Sequence, residues 1–210
     1  MTSATATNYS IEVTDRNPGL NLPQKMGTRL WAPMWAMALM GFAVGFILAI
    51  VKANEISGSN DPESVAQLNH LVPAFMFIGF LAVFAAVSFA VARILGAFRS
   101  GGGQVQEAAG TRVKTLKMPN TAKVFMLLMM MGMMVILISV IIHFAQAGSV
   151  DATEASLLAS EQAAIRLEGF RRLGVAMYLT GIAFGLGTII TILRFQAIRI
   201  RELAGERSAA

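Results

Sequence analysis

Four long apolar stretches, separated by polar and charged segments, dominate the pattern along the chain. They cover residues 31–51, 71–92, 124–147 and 173–193, and none of them contains Asp, Glu, Lys or Arg. Each is long enough for the roughly 20 apolar residues that a membrane-spanning helix needs. The runs are continuous rather than alternating, which argues against a transmembrane barrel. The pattern therefore predicts an all-α integral membrane protein with four transmembrane helices.

The distribution of Lys and Arg predicts how these helices are oriented. The N-terminal tail, the central segment 93–123 and the C-terminal segment after residue 193 hold thirteen of the 17 basic residues, and the two other loops hold four. Basic residues accumulate on the cytoplasmic side of membrane proteins. We therefore expect both termini in the cytoplasm, with the helices arranged as two hairpins, in a bacterial inner or intracytoplasmic membrane.

The polar segments complete the predicted organisation. Residues 1–28 form a polar cytoplasmic tail without helical periodicity, residues 29–203 form the transmembrane domain, and residues 204–210 form a C-terminal tail. The first apolar stretch is too long for the 7–15-residue apolar region of a cleaved signal peptide. A Ser-Gly-Gly-Gly run at 100–103 predicts a flexible joint in the central segment, because glycine-rich runs favour flexible linkers.

Composition limits the functions open to this chain. Charged residues make up 14% and apolar residues 55%, with a mean hydropathy of +0.62, against about 25% charged residues in a soluble domain. The absence of cysteine excludes thiolate catalysis and iron–sulfur clusters. The sequence also lacks the common hydrolase and nucleotide-binding motifs. We expect a protein that is not an enzyme.

The net charge of +5 has two interpretations. The basic central segment and C-terminal tail either contact anionic lipid headgroups or only enforce the topology. Nucleic-acid binding is not expected, because the basic segment lacks the aromatic residues on which bases stack. The expected partners are the lipid bilayer and other membrane subunits.

Small residues recur at every fourth position in three of the four spans. Such spacing lets helix backbones approach closely in a membrane. The candidate helix-packing residues are Gly41, Gly45, Ala82, Ala86, Gly181 and Gly185.

The third span is rich in methionine, and Met126, Met130 and Met134 share one helical face. Thioethers are soft ligands that suit Cu(I). A Met-x-x-x-Met helix beside a GxxxG helix is similar to the pairing in the Ctr copper-transporter family, and this resemblance, over two short motifs, implies copper transport. Five of the six residues from 129 to 134 are methionine, however, so sulfur points to every side. That distribution favours adaptable packing.

The two histidines have two interpretations. His70 opens the second span and His143 lies near the end of the third, so the predicted topology places both at the outer interface. One histidine from each of two helices is a pattern that binds haem b axially or contributes to a metal site. Alternatively, each ring is simply solvated at headgroup level.

Together these features predict a non-catalytic structural or accessory subunit of a larger membrane protein complex, without a cofactor of its own. Complexes of the respiratory, photosynthetic or membrane-oxygenase type are the expected hosts. Two alternatives stay open, a self-contained conduit for copper or a small neutral solute and a haem-binding electron-transfer subunit.

Overall fold

The part of the chain that the structure describes forms four long helices and one two-stranded sheet. The computed structural model describes residues 10–58 and 61–209, so residues 1–9 and 210 of the predicted tails lie outside the described residues. The elements in chain order are β1 (Ile11–Thr14), α1 (Leu22–Ser57), α2 (Pro62–Ala108), β2 (Val113–Leu116), α3 (Asn120–Ser149) and α4 (Glu154–Ala209). All four helices are long and apolar enough to cross a membrane, consistent with a multi-pass membrane protein.

The helices extend well beyond the predicted spans. Helix α2 has 47 residues and α4 has 56, which at 1.5 Å per residue correspond to about 70 and 84 Å. A bilayer core is only about 30 Å thick. Both helices therefore continue outside a membrane that they span.

Helix α1 starts inside the predicted polar tail. The side chain of Asn21 accepts a hydrogen bond from the Gln24 backbone N–H, and the Gln24 side chain accepts one from the Asn21 backbone N–H. This capping box satisfies two amides that the first helical turn would leave free. Pro23 fits the first turn, where no amide hydrogen is needed.

The prediction of a flexible joint at residues 100–103 is wrong, because α2 continues through these residues without a break. A Cβ atom at Gly102 would lie 2.5 Å from Gln196 Oε1, and one at Gly103 would lie 2.6 Å from Asn17 Oδ1. The glycines serve close packing: they let α4 and the chain before α1 approach the backbone of α2.

Small residues make the closest helix contacts. A Cβ atom at Gly41 of α1 would lie 2.8 Å from the backbone nitrogen of Gly79 in α2. In α2, Ala82 and Ala86 are fully buried. In α4, Gly181 lies against Met129 and Gly185 against the Phe125 ring. Gly41, Gly45, Gly181 and Gly185 thus each face a neighbouring helix of the same chain.

Aromatic and aliphatic side chains fill the centre of the bundle. The rings of Phe84 and Tyr178 stack with their centroids 3.9 Å apart, and Tyr178 is fully buried. Ile136 and Val140 of α3 belong to the same cluster. This core joins α2, α3 and α4.

The antiparallel sheet connects the N-terminal segment to the connection between α2 and α3. Ile11 pairs with Leu116 and Thr14 with Val113. The buried Gln106 of α2 accepts hydrogen bonds at Oε1 from the Lys114 backbone N–H and from Arg199 Nε. The sheet is therefore fixed to α2 and α4. We call this end of the bundle the sheet end. The opposite end, where α1 ends, α2 begins and residues 150–153 join α3 to α4, is called the short-loop end.

Asp61 caps the first turn of α2 at the short-loop end. Its carboxylate accepts hydrogen bonds from the backbone amides of Glu63 and Ser64 and from the Ser64 hydroxyl. The hydrogen bonds from Ser64 hold the pKa of Asp61 below its ordinary value of 3.8. The capping contribution is therefore fully present above that ordinary value and is lost as the pH falls through the lowered pKa.

We expect Asp61→Ala to fray the first turn of α2, because two amides lose their acceptor. Hydrogen exchange at the Glu63 and Ser64 amides should accelerate. Asp61→Asn is the control, since it keeps a carbonyl acceptor and is expected to exchange nearly as slowly as the natural protein. Equal exchange in the alanine variant and the natural protein would contradict the capping role.

Candidate functional site

A histidine cluster lies at the short-loop end, between three helices. His70 extends from the first part of α2 and His143 from the last part of α3, while α4 supplies Ser160 and Arg171. The two imidazole rings are 0% and 1% exposed, and Ser160 is 3% exposed. The interpretation in which both histidines are solvated is therefore wrong, because the helix faces that carry them point into the bundle.

Hydrogen bonds connect these four side chains in a row. Nδ1 of His70 lies 2.9 Å from Nδ1 of His143. On one side, His70 Nε2 lies 2.9 Å from Ser160 Oγ. On the other side, Arg171 Nη1 lies 3.5 Å from His143 Nε2, with the guanidinium over the Phe77 ring.

The arginine fixes the direction of every hydrogen bond in this row. A guanidinium can only donate, so His143 accepts at Nε2 and, as a neutral ring, carries its hydrogen on Nδ1. It then donates to His70 Nδ1, which leaves the His70 hydrogen on Nε2, where it donates to Ser160. An extra proton on either ring would set two N–H groups against each other. With Arg171 as the donor to His143, this row of hydrogen bonds is complete when both histidines are neutral.

The histidine pair does not fit a haem in this arrangement. A haem iron needs its two axial nitrogens on opposite sides of the porphyrin, about 4 Å apart at metal–nitrogen bonds near 2 Å. The two Nδ1 atoms face each other at 2.9 Å, which leaves no space for a porphyrin plane. A single metal ion fits poorly as well, because Arg171 places positive charge beside His143 and no group of three or more His, Cys, Asp or Glu suited to a metal occurs among the described residues.

The methionines of α3 lie mostly on the outside of the bundle. Met126, Met130 and Met134 are 48%, 62% and 52% exposed, whereas Met129 is buried. A conduit through the centre of the bundle would need the first three on the inward face. The sequence could not show this, because a helix that is apolar all round carries no periodic signal for its buried side.

Ser160, Arg171 and Tyr178 are the residues of this region that the sequence did not single out. Ser160 and Arg171 lie among other polar and charged residues at the start of α4, so the sequence pattern offers no reason to select them. Tyr178 lies one layer deeper, and its buried hydroxyl has no hydrogen-bond partner among the described residues. Only the packing of α4 against α2 and α3 reveals the set.

Chemically, the histidine cluster acts as a polar clamp: a chain of hydrogen bonds that links α2, α3 and α4 in an otherwise apolar bundle. In such surroundings an unpaired polar group is costly, so each partner holds the next in place.

No protein-family model, curated protein or solved structure matches this chain.

Proposed function

We propose that this chain is a multi-pass protein of a bacterial inner membrane, with both termini cytoplasmic, and that it works as a non-catalytic accessory subunit of a larger membrane complex. The excess of Lys and Arg at the sheet end supports this orientation. The pairing of β1 with β2 adds an independent constraint. Two strands of one sheet lie on the same side of a membrane, so an even number of spans separates them.

The observation that carries the accessory role is the outward methionine face of α3, which we define as Met126, Met130, Met131 and Met134. All four are 45–62% exposed. Small residues such as Gly41 and Gly181 are already used in contacts within the chain. The methionine face, in contrast, is exposed and open to another protein.

Methionine is suited to such a contact. Its unbranched, polarizable side chain adapts to irregular partner surfaces, and clusters of it occur at interaction sites. The later part of α3 exposes the branched residues Leu137, Ile138, Ile141 and Ile142, as an ordinary lipid-facing helix does. The exposed side of α3 thus changes from methionine to branched residues along its length. This change favours a transmembrane helix of a second subunit beside the methionines, in a complex of the respiratory, photosynthetic or membrane-oxygenase type.

Site-specific photo-crosslinking in native membranes tests this function. A photoreactive residue at position 130 should capture one other membrane subunit, which also co-purifies in fixed ratio and carries the cofactor or catalytic site. Position 141 is the matched control, because Ile141 is 58% exposed and Met130 62%, on the same face of the same helix.

Two outcomes would contradict the accessory role. Equal capture at positions 130 and 141, or capture of lipid alone, would mean that the methionine face is not a subunit contact. A homo-oligomer that retains copper, and that loses it in Met130→Leu and Met134→Leu, would assign the methionines to a copper conduit instead.

A further inference from the structure

An apolar cavity of about 550 Å³ lies at the sheet end, between the start of α1 and helices α2, α3 and α4. Ala85 and Leu95 of α2 form one wall, Phe125 and Met129 of α3 another, and Ile192 of α4 a third. Cavities that bind small molecules typically measure 300–1,000 Å³ and are mostly apolar. The cavity therefore has the size and the lining of a ligand site.

The cavity opens sideways, toward the surroundings of the bundle. Among its lining residues, Leu22 and Met26 at the start of α1 are 71% and 42% exposed, and Met126 and Met130 of α3 are 48% and 62% exposed. These residues border an opening between α1 and α3. In a bilayer, an opening on this apolar surface admits a lipid chain.

Two arginines supply the charge of the cavity. Arg99 of α2 and Arg199 of α4 both belong to its lining, which includes no Asp or Glu among the described residues. Arg199 is 2% exposed; it donates from Nε to Gln106 and from Nη1 to Gln196, and its buried Nη2 has no hydrogen-bond partner among the described residues. Within the same part of the chain, the buried Nε of Arg99 also lacks a hydrogen-bond partner. Two guanidiniums with unused donors thus border one apolar space.

We propose that this cavity binds an anionic phospholipid of the membrane, with one acyl chain between the helices and the phosphate at Arg99 and Arg199. Guanidinium groups form paired, charge-assisted hydrogen bonds with phosphate oxygens. The two arginines follow the apolar parts of α2 and α4 at the same end, as residues at headgroup depth do. The cavity shares Met126 and Met130 with the methionine face, but the two arginines that hold the phosphate lie outside that face, so the proposal does not depend on a subunit contact there.

Lipid binding to the purified full-length protein tests the proposal. The protein is stripped in mild detergent and titrated with phosphatidylglycerol or phosphatidylcholine, and bound lipid is counted by native mass spectrometry. Phosphatidylglycerol should bind with a stoichiometry of one and at least about tenfold more tightly, because the positive charge of choline is repelled by the two guanidiniums that bind the phosphate. Palmitate is a third probe, and equally tight binding of this free acid would overturn the assignment to a phospholipid.

The chain contains its own matched control for the arginines. Arg99→Gln with Arg199→Gln should abolish the preference for phosphatidylglycerol. Arg93→Gln with Arg194→Gln removes the same charge from the same helices at exposed residues outside the cavity lining, and should leave the preference intact. Equal loss in both double variants would reduce the effect to general attraction between a basic surface and anionic lipid.

A third variant addresses the cavity itself and keeps every arginine. Ser88→Phe places a ring from α2 into the apolar space. It should weaken the affinity for phosphatidylglycerol about tenfold, because the ring occupies space that an acyl chain would fill. Arg199 also donates to Gln106, so replacing Arg199 risks misfolding. Arg99→Gln alone is therefore measured beside the double variant. If Ser88→Phe folds and retains phosphatidylglycerol with unchanged affinity, the cavity is not the binding site.

Discussion

Gly41→Val is expected to lower the free energy of unfolding by about 3 kcal/mol, the upper part of the usual range for overpacking. A Cβ atom at this position would lie 2.8 Å from the backbone nitrogen of Gly79 and 3.0 Å from its Cα. Both atoms belong to a helix backbone, so no flexible side chain can yield. The two helices must separate along their interface.

Unfolding of purified protein by heat or by SDS in mixed micelles measures this effect. Gly187→Val is the control, because a Cβ atom at Gly187 of α4 has no atom within 4 Å and a surface substitution usually changes stability by less than about 0.5 kcal/mol. If the two variants lose the same stability, the close approach of α1 and α2 is not what makes Gly41 necessary.

His143→Leu is expected to cost about 3 kcal/mol. It removes the donor to His70 Nδ1 and the acceptor of Arg171 at the same time. Leucine nearly fills the space, so most of the loss comes from the polar groups left without partners rather than from a cavity. The buried His70 gives the larger share, because its contact with His143 is buried and 2.9 Å long, whereas that of the half-buried Arg171 is 3.5 Å long.

A double-mutant cycle separates the contact between the rings from the rest. Each single variant leaves the other imidazole without its hydrogen-bond partner, whereas His70→Leu with His143→Leu removes both rings. The double variant should therefore lose about 1–2 kcal/mol less stability than the two single variants added together. Additive losses would mean that the two histidines do not depend on each other. Ser139→Ala of α3 serves as the control for a buried polar group, because its hydroxyl has no partner among the described residues.

The apolar pattern was sufficient to predict four long helices able to span a membrane, and this is confirmed. It could not predict how far the helices continue. Residues 93–108 include four glycines, three of them in a row, which locally favours a linker. They remain helical because Gly102 and Gly103 accept neighbouring side chains at close range, a condition that only the packed bundle supplies.

The candidate site was predictable only in part. The sequence placed His70 and His143 at the same level, since one begins a span and the other ends the next. It did not indicate that both rings face inward, because spans that are apolar all round carry no rotational signal. For the same reason the outward orientation of Met126 and Met130 was not predictable. The cavity needs side chains from four helices, which no local pattern brings together.

The pairing of β1 with β2 sets an order of events during synthesis. Ile11 leaves the ribosome about a hundred residues before its partner Leu116, so β1 cannot pair with β2 until α1 and α2 have been synthesised. The sheet then closes a loop of chain that contains the first two helices. In a membrane, α1 could then not reverse its direction alone unless the strands first separated. Whichever orientation α1 takes, the late pairing of β2 with β1 would hold it.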